Sequence, residues 1–446
     1  MRKSIVASLL LAPSLALASG YALPNTNPRD LGLCASSVAA QRDSAAAFAL
    51  PAALARLDGP SVGASFGGVH VFNTWTDTNG DKVDMDQAYS PLGSLSVSYG
   101  GKLPMAGNRG WGAGISIQPF GGAIVSWPEG WPGRFRILEV DRKVFSGVAT
   151  VGFEVIPQVR IGGGFVYYYS MEKLSQNAWM VPWTGSGPTV PASWNLAQPD
   201  AKATIDISGG APSFDVSAEV EPVKGFPLTI AADYKHKATQ TLDGDVTWEG
   251  LTPIAQGAAA TVAPTFATQG AKEKLVVPNT LNIGAAYRVI KPLLVTATFT
   301  FDRWVVYQED RFVGDNGATI ILGRDYKNGQ TYRAGVEYDV TSVVQLRAGV
   351  QRDISGLNKS LYSPTLPDAS SWGGSLGATY KFAGGFAVNA AAFYAKMDKV
   401  TVPDSAVGSD PPGVLQTSGT FRGSYEPSAL VYGLSVSWAP GARTGG

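Results

Sequence analysis

The sequence predicts an all-β fold: a transmembrane antiparallel β-barrel of about 14 strands, plugged by a small N-terminal helical hatch. Three observations support this fold class: an export signal, a low content of charged residues, and many segments in which apolar and polar residues alternate. Of the 446 residues, 16% are Asp, Glu, Lys or Arg and 53 are glycine, whereas soluble proteins average about 25% charged residues and about 7% glycine. This composition disfavours a cytosolic enzyme.

Residues 1–18 have the order of a secretory signal peptide. Arg2 and Lys3 precede an apolar stretch, and Ala18 ends a cleavage site of small residues. The apolar stretch is shorter than the roughly 20 residues that a membrane-spanning helix needs, and no later apolar run is long enough. We therefore expect an exported chain that begins at Ser19 and has no membrane-spanning helix.

The charge balance and the rare residue types exclude several classes of function. The 35 basic and 35 acidic residues leave no excess of positive charge for binding nucleic acid. The single cysteine, Cys34, cannot form an intramolecular disulfide or a CxxC-type zinc site. His70 and His236 are the two histidines of the chain. We expect no catalytic residue, no bound metal and no cofactor.

Alternation with a period of two residues runs through the chain. In the last such segment, Leu430, Tyr432 and Leu434 alternate with small or polar residues, so that one strand face suits lipid. A soluble β-sandwich alternates in the same way, but the number of segments and the aromatic residues at their ends favour a bilayer. The predicted strands begin near Ser61, Leu92, Gly110, Val144, Val159, Ser213, Phe226, Lys272, Pro292, Gln330, Val343, Ser371, Phe386 and Ser428.

Short and long connections alternate between these segments, as expected for a barrel with short periplasmic turns and long outer loops. The long connections are predicted at Asn73 to Pro91, Leu174 to Pro212 and Thr241 to Ala271. The long connections contain many prolines and three tryptophans, Trp179, Trp183 and Trp194. This composition predicts an ordered, partly apolar cap over the outer end of the barrel.

Residues 19–60 fit no strand pattern and precede the barrel, which is predicted at 61–439. Leu50, Leu54 and Leu57 share one face of a predicted helix in this segment. A barrel of 14 strands is intermediate between small barrels filled by side chains and porins with an aqueous lumen. We therefore expect this segment to plug the lumen; the alternative is a periplasmic tail or a helix that binds a partner.

Several short motifs, in a specific order along the chain, are similar to those of one family. The motifs are Ser19-Gly20-Tyr21-Ala22-Leu23, Leu50-Pro51-Ala52, Pro119-Phe120-Gly121, Trp131-Pro132-Gly133-Arg134, Pro278 to Gly284, Asp302-Arg303-Trp304, Arg347-Ala348-Gly349 and Leu366 to Ala369. In these motifs the chain resembles the FadL/TodX family of outer-membrane transporters for long-chain fatty acids and aromatic hydrocarbons. The resemblance covers nearly the whole mature chain.

The resemblance implies passive uptake of a hydrophobic compound: binding in an apolar pocket of the barrel, movement of the hatch, and lateral release through the wall. The expected gate is Leu50, Pro51, Ala52 and Leu54, the expected lateral portal is Pro119, Phe120, Gly121 and Gly122, and the expected ligand-binding residues are Phe48 and Phe120. It also implies a monomer in the outer membrane, in contact with lipid and lipopolysaccharide.

Pro119 lies among glycines in the third predicted strand. Proline cannot donate to a β ladder, and glycine in a strand marks a bend. A local break in strand pairing at this point would form the portal. The alternative is an ordinary strand end, with Pro119 just beyond the ladder.

The sequence departs from the family pattern in two places. Leu50 stands where the family has asparagine, so the polar contact that the family makes there is not expected. The chain also continues past Trp438, where the family ends, into a C-terminal extension at 440–446. The sequence leaves open which hydrophobic ligand binds and which Arg or Lys would hold a carboxylate head group.

Two other functions remain as alternatives, a hydrophilic diffusion porin and an outer-membrane lipid hydrolase. A porin would lack the plug. The hydrolase alternative is based on two matches to the G-x-S-x-G motif of hydrolases, which contain Ser65 and Ser375. Neither serine is followed by a helical pattern, so these matches are expected by chance in a chain rich in glycine and serine.

The loop from Asp77 to Asp86 superficially resembles a calcium site because it is rich in aspartate. Its glycine, Gly80, precedes Asp81, which is not the order of a calcium-binding loop. A hairpin turn at Asn79-Gly80 is the simpler interpretation. Calcium bridging between this loop and lipopolysaccharide is left open.

Overall fold

Alternating apolar and polar residues build one antiparallel sheet that closes on itself. The computed structural model describes residues 20–23, 26–86, 88–179, 200–251, 267–317, 319–403 and 421–440. The predicted signal peptide, Trp183, Trp194 and all but the first residue of the predicted extension lie outside the described residues.

The described elements are two short α-helices, several 3-10 turns and 22 strands. The helices are α1 (Pro28–Leu31) and α2 (Ala46–Ala49), and the 3-10 turns are Val38–Ala40, Pro51–Arg56, Pro104–Ala106, Trp304–Val306, Lys359–Leu361 and Ala383–Gly385. The strands are β1 (Gly59–Phe72), β2 (Thr74–Thr76), β3 (Lys82–Asp84), β4 (Ala88–Leu103), β5 (Arg109–Ser126), β6 (Glu139–Ile156), β7 (Val159–Trp179), β8 (Asp200–Val220), β9 (Leu228–Lys235), β10 (Ala238–Glu249), β11 (Gln269–Val277), β12 (Thr280–Ile290), β13 (Leu293–Asp302), β14 (Glu309–Gly314), β15 (Thr319–Gly323), β16 (Gly329–Asp339), β17 (Val344–Ile354), β18 (Ser371–Lys381), β19 (Phe386–Met397), β20 (Val400–Val402), β21 (Gly423–Tyr425) and β22 (Ser428–Trp438).

Eighteen of these strands form the barrel sheet. Four barrel strands are interrupted, and each consists of two consecutive segments: β9 with β10, β11 with β12, β13 with β14, and β15 with β16. Eighteen segments minus these four interruptions give 14 barrel strands, as predicted. β1 pairs with β22 on one side and with β4 on the other, which closes the cylinder.

The two faces of the wall have the predicted character. Leu434 and Phe66 are exposed on the outer face, where their strands pair. Thr296, Thr298 and Thr300 are buried on the inner face of β13. The dry face therefore points outward toward lipid and the polar face points into the lumen, which is the reverse of a soluble β-domain.

Two predicted loops contain strand at both of their ends. β7 extends to Trp179 and β8 begins at Asp200 and not near Ser213, within Leu174 to Pro212, while β10 extends to Glu249 and β11 begins at Gln269, within Thr241 to Ala271. The apolar alternation is missing from these outer parts because their outer faces are polar. In β10 the exposed residues are Thr239, Thr241, Asp243, Asp245, Thr247 and Glu249. Such a face belongs in water, so the barrel extends beyond the bilayer at this end.

A cap lies over the outer end of the barrel. The strands β2, β3, β20 and β21 form a separate sheet. The rings of Trp127 and Trp131 stack with centroids 4.3 Å apart, and Trp75 and Phe421 pack against Trp131. An apolar cap is therefore present, although its described residues come mainly from connections other than the one that holds Trp179.

The outward position of Leu434 makes a test of the bilayer boundary possible. We expect Leu434→Arg to lower the free energy of unfolding in lipid vesicles by about 2–4 kcal/mol, because the charge would enter hydrocarbon. Thr241→Arg on the polar face of β10 should change it by less than about 1 kcal/mol. Equal destabilisation by both variants, measured by urea titration, would place β10 inside the bilayer.

Candidate functional site

The segment before β1 lies inside the barrel and packs directly on its wall. Leu50, Ala52 and Leu54 are fully buried. The backbone N–H of Ala52 donates to Ser217 Oγ of β8 at 2.9 Å, and the 3-10 turn that begins at Pro51 contacts β4, β5, β6, β7 and β8. The four residues expected as the gate thus belong to the plug that obstructs the lumen.

Glycines in the wall allow the hatch backbone to come this close. A Cβ atom added at Gly112 would lie 2.2 Å from the carbonyl oxygen of Leu54, and one added at Gly162 would lie 2.4 Å from the nitrogen of Ala52. Any larger residue at these two positions would displace the hatch.

The hatch is less helical than predicted. The α-helix α2 ends at Ala49, Leu50 has an extended backbone with φ −165°, and Pro51–Arg56 forms a 3-10 turn. The prediction that Leu50, Leu54 and Leu57 share one face of a helix is therefore wrong. Proline disfavours the α conformation in the residue before it, which explains why the chain leaves the helix at Leu50.

A buried carboxylate holds the hatch at the periplasmic side of the lumen. Glu219 of β8 is fully buried. Its partners are Arg42 at 3.6 Å and Arg56 from the hatch, and Arg160 of β7 at 3.2 Å. Arg56 also contacts Glu221 at 2.5 Å. The charges of the hatch arginines are thus neutralised by the wall.

Neutral hydrogen bonds fix the hatch near Leu50. Ser44 and Ser96 of β4 lie with their Oγ atoms 2.7 Å apart, and Thr150 Oγ1 of β6 donates to the carbonyl oxygen of Ala47 at 2.8 Å. Leu50 itself contributes apolar packing. The polar contact between hatch and wall that the family motif implies is therefore replaced by contacts of neighbouring residues.

The wall has a gap between β4 and β5. Their ladder ends at the pair Leu95 and Ile117, although β5 continues to Ser126 and β4 begins at Ala88. At the outer end, the backbone N–H of Asp86 donates to the carbonyl oxygen of Ser126 at 2.8 Å. The two strands are thus joined at both ends of the gap and separate between them.

The portal motif lies along this gap. The strand does not end at Pro119, so the alternative of an ordinary strand end is wrong. On the β6 side the ladder continues with a bulge at Phe120, between the pairs Pro119 with Phe145 and Gly121 with Val144. The break in pairing is on the β4 side. Proline lacks a backbone donor, which favours an unpaired edge here.

The N-terminal part of the hatch covers the gap from inside. Gly122 N–H donates to the carbonyl oxygen of Tyr21 at 2.7 Å, and Leu23 N–H donates to that of Phe120 at 2.9 Å. Ala22 and Gly121 form a β-bridge. Residues 21–23 thus act as a short additional strand on β5.

Further contacts hold this covering segment in place. The ring of Tyr21 packs edge-on against Trp304 and Tyr307, at centroid distances of 4.9 and 5.6 Å. Gly20 N–H donates to Asp368 Oδ2 in an outer loop at 2.9 Å. Burial raises the pKa of the Asp368 carboxyl to about 7. The covering segment is therefore bound to the wall and to the outer loops together.

A cavity of about 110 Å³ lies between the hatch and the wall. Pro119 and Phe120 line it from the gap side, and Leu23 and Phe48 line it from the hatch. Most of the remaining lining residues are polar: Ser37, Gln41, Gln118, Asp233, Lys235, Thr280, Asn282, Thr298, Thr300, Asp302 and Arg333. The apolar groups Pro119 and Phe120 thus lie beside the gap, and most of the other lining residues are polar.

The structure brings the predicted pocket and portal residues together. Phe48, Pro119 and Phe120 line one cavity, and Gly121 and Gly122 contact the covering segment. The predicted gate lies in the same hatch but is not among the described lining residues.

Sequence reasoning missed the charged lining residues Lys235 and Arg333. Both occupy inward positions of their strands. A survey of charged residues at inward positions would have found them.

The G-x-S-x-G serines have structural partners. Ser65 Oγ lies 2.6 Å from Ser94 Oγ within the wall, and Ser375 Oγ accepts a hydrogen bond from Cys34 N at 2.9 Å. Both serines lie in strands, and His70 contacts the aromatic rings of Tyr89 and Tyr432 on the outer face. The described residues thus form no catalytic triad around either serine.

The aspartate-rich loop is a hairpin turn between β2 and β3. Asp77 Oδ1 accepts hydrogen bonds from the backbone N–H groups of Asn79 and Asp81, both at 2.8 Å, and Gly80 has φ +96°. This confirms the predicted turn. Within the described ranges, no group of three or more His, Cys, Asp or Glu side chains is placed to hold a metal ion.

The convergence of three arginines on Glu219 predicts how the hatch can be loosened. We expect Glu219→Gln to destabilise the docked hatch by about 1–3 kcal/mol, because Arg42, Arg56 and Arg160 lose the buried carboxylate that they share, although Arg56 and Arg160 keep Glu221. Hydrogen exchange of residues 46–56 should accelerate accordingly. Glu221→Gln, at a partly exposed partner, is the matched control and should have a smaller effect. Unchanged exchange in Glu219→Gln would show that packing alone holds the hatch.

Comparisons with known proteins agree with this architecture. Residues 9–439 match the family described as "Outer membrane protein transport protein (OMPP1/FadL/TodX)". The 47 kDa outer membrane protein of Pasteurella multocida (strain Pm70) is 24% identical over 165 residues, which are 37% of this chain and 35% of that relative. The match thus spans about a third of the relative's length.

Solved structures share the fold. A FadL homologue of Pseudomonas aeruginosa superimposes with a TM-score of 0.80 at 20% identity, over 94% of this chain and 100% of the other. The toluene transporter TodX of P. putida gives 0.64 at 13% identity, over 89% and 94%. The toluene transporter TbuX of Ralstonia pickettii gives 0.62 at 12% identity, over 94% and 99%.

No helix among the described residues is long and apolar enough to span a bilayer. The family match extends over nearly the whole chain, and the matched relative is itself an outer-membrane protein. The chain therefore belongs to the FadL/TodX family of outer-membrane transport proteins and resides in the outer membrane.

Proposed function

We propose that this protein takes up hydrophobic compounds passively through the outer membrane and releases them sideways through its wall. The cargo classes are long-chain fatty acids and aromatic hydrocarbons; two of the structural relatives are named as toluene transporters. The observation that carries the proposal is the gap between β4 and β5. The apolar part of the cavity borders it, and residues 21–23 cover it.

Lateral release is favoured by the energetics of apolar transfer. Moving a methylene group from an apolar site into water costs about 0.8 kcal/mol, so a twelve-carbon tail faces roughly 10 kcal/mol if it leaves along the barrel axis. A cargo that passes between β4 and β5 moves from the cavity into lipid. It avoids this penalty.

The size of the cavity indicates that the hatch has to move. Sites for small molecules usually measure about 300–1,000 Å³, and the cavity measures about 110 Å³. The wall is held by its strand ladders, whereas the hatch is held by side-chain contacts and a few hydrogen bonds. The hatch is thus the part of the cavity lining that moves to make room for the cargo.

Each expected residue has a part in this mechanism. Phe48 and Phe120 contact the cargo, and displacement of the hatch segment around Leu50, Pro51, Ala52 and Leu54 enlarges the cavity. Withdrawal of residues 21–23 frees the portal at Pro119 to Gly122. No catalytic step is involved.

The surroundings of the protein follow from its outer surface. The apolar outer face of the barrel contacts membrane lipid, and the polar outer face of β10 meets the sugar region of lipopolysaccharide. We propose that the protein acts as a monomer, because one barrel contains the cavity, the hatch and the gap.

A disulfide between hatch and wall tests the role of hatch movement. Ser44 and Ser96 lie with their Oγ atoms 2.7 Å apart, which suits a disulfide after Ser44→Cys and Ser96→Cys in a Cys34→Ser background. In proteoliposomes, the oxidised double variant should take up toluene and oleate at least tenfold more slowly than the reduced one. The two single variants are the controls and should not respond to reductant.

Two results would contradict the proposal. Uptake that is unaffected by the disulfide would show that cargo passes without hatch movement. Large, steady single-channel currents with the hatch in place would indicate the hydrophilic porin.

A further inference from the structure

We infer that the outer surface of the wall carries a fixed binding site for lipopolysaccharide. A phosphate group of its lipid A part lies at Arg352 and Lys396, and one of its acyl chains lies in a groove along β19. The site is separate from the cavity and from the gap, and it goes beyond the general contact of a barrel with lipid.

Two cations and a tryptophan form one row across three neighbouring strands. Arg352 of β17 pairs with Trp372 of β18, which pairs with Lys396 of β19. Trp372 and Lys396 are exposed on the outer face, and the guanidinium carbon of Arg352 lies 5.3 Å from the centroid of a Trp372 ring. Because neighbouring strands are about 4.8 Å apart, the backbones of Arg352 and Lys396 are roughly 10 Å apart. Their long side chains can reach one anion between them.

This row lies at the outer boundary of the hydrocarbon. β19 leads past Lys396 to the cap strand β20, whereas its other end follows the turn Ala383–Gly385. Along β18 the outward residues between Trp372 and Tyr380 are glycine, leucine and alanine. Exposed aromatic residues mark the two interfaces of a membrane protein. A cation in the row of Trp372 is therefore level with the head groups of the outer leaflet.

Positive charge is in excess around this row. Asp398 lies 3.3 Å from Arg352, and Glu426 lies 3.0 Å from Lys399. Together with Lys396, these groups comprise three cations and two carboxylates. One positive charge is thus left over, and an anionic head group would balance it.

An apolar groove lies below the row on the same outer face. It has a volume of about 580 Å³, within the range of small-molecule sites. The groove follows β19, whose outward residues are small here, between larger side chains of the neighbouring strands. The outward residues that line it are Phe66, Leu376, Ala390, Ala392, Tyr432 and Leu434.

The depth of the groove matches the position of an acyl chain. Ala392 and Ala390 precede Lys396 by four and six residues, which is about 13 and 20 Å along the strand. With a strand tilt of about 40°, these residues lie about 10–15 Å below the cation. Half of a hydrocarbon core is about 15 Å thick. A chain attached to a head group at Lys396 therefore reaches the groove within one leaflet.

The combined chemistry favours lipopolysaccharide over other lipids. Arginine and lysine are the side chains that bind phosphate, and the indole N–H of Trp372 is a donor for a sugar hydroxyl or a phosphate oxygen. Lipid A carries phosphates, sugars and acyl chains in the outer leaflet, whereas phospholipids occupy the inner leaflet of this membrane. The outer end of the wall therefore faces lipid A.

The site leaves the gap uncovered. β17, β18, β19 and β22 are the eleventh to fourteenth barrel strands, and the gap lies between the second and third. A lipid bound here fixes the height of the barrel in the membrane, and cargo can still leave through the gap.

Matched variants test the phosphate site. Diphosphoryl lipid A should be titrated into the full-length protein in detergent, with native mass spectrometry as the readout. We expect Arg352→Gln and Lys396→Gln to weaken binding about fivefold each and about thirtyfold together, from the usual contribution of a basic side chain at a membrane surface. The control pair Lys272→Gln and Arg311→Gln removes one lysine and one arginine from outward positions elsewhere on the barrel. It should change binding less than threefold.

A bulky side chain tests the groove. Ala392→Phe fills it and should weaken lipid A binding about fivefold or more. Ala297→Phe, at an exposed outward position of β13, is the control and should have no effect. All substituted side chains point outward, so each variant should keep the slower gel migration on heating that reports a folded barrel.

Four results would overturn the inference. Equal weakening by the control pair would show a general attraction to positive charge. Equally tight binding of dioleoyl phosphatidylglycerol would make the site one for any anionic lipid. Unchanged lipid A binding in the folded double variant would remove the phosphate assignment. A doubled protein mass that disappears in Ala392→Phe would show that a second copy of the chain occupies the groove.

Discussion

Backbone hydrogen bonding within the bilayer is the constraint on which the rest of the structure depends. Hydrocarbon offers no partner to an N–H or C=O group, so a sheet that crosses a bilayer has to close on itself. The pairing of β1 with β22 achieves this closure. A gap in such a wall is costly, and here residues 21–23 of the hatch pair with β5 beside the gap. Plug and wall are therefore parts of one hydrogen-bonding arrangement.

Charge organises the lumen in a similar way. Inward arginines and carboxylates hold hatch and wall together, as Glu219 does with Arg42 and Arg56 and as Glu337 does with Arg29 at 3.5 Å. Because Glu219 and Glu337 are buried, removing one partner of such a pair is costly.

The barrel was predictable because its signal is periodic. Rows such as Leu430, Tyr432 and Leu434 repeat in strand after strand, and the number of strands follows from counting them. The outer halves of β8 and β10 were missed because their polar outer faces lack that contrast. Pro51 ends the predicted hatch helix through its effect on Leu50, which a helical wheel does not represent.

The site was only partly predictable. Pro119 lacks a backbone N–H, so the sequence predicts irregular strand pairing at Pro119 and Phe120. Which edge of the strand is unpaired depends on the strand that lies beside it in the fold. Lys235 and Arg333 are visible in the sequence as charges at inward strand positions, but which inward charges line the cavity is a property of the folded lumen.

The gap between β4 and β5 runs along the strands, from Ile117 to Ser126, and both of its ends are closed by backbone bonds. Nine residues at about 3.3 Å each make a slit roughly 30 Å long. A slit restricts the cross-section of what passes and places little restriction on its length. In the proposed lateral release, the opening therefore limits the thickness of a cargo more than its length.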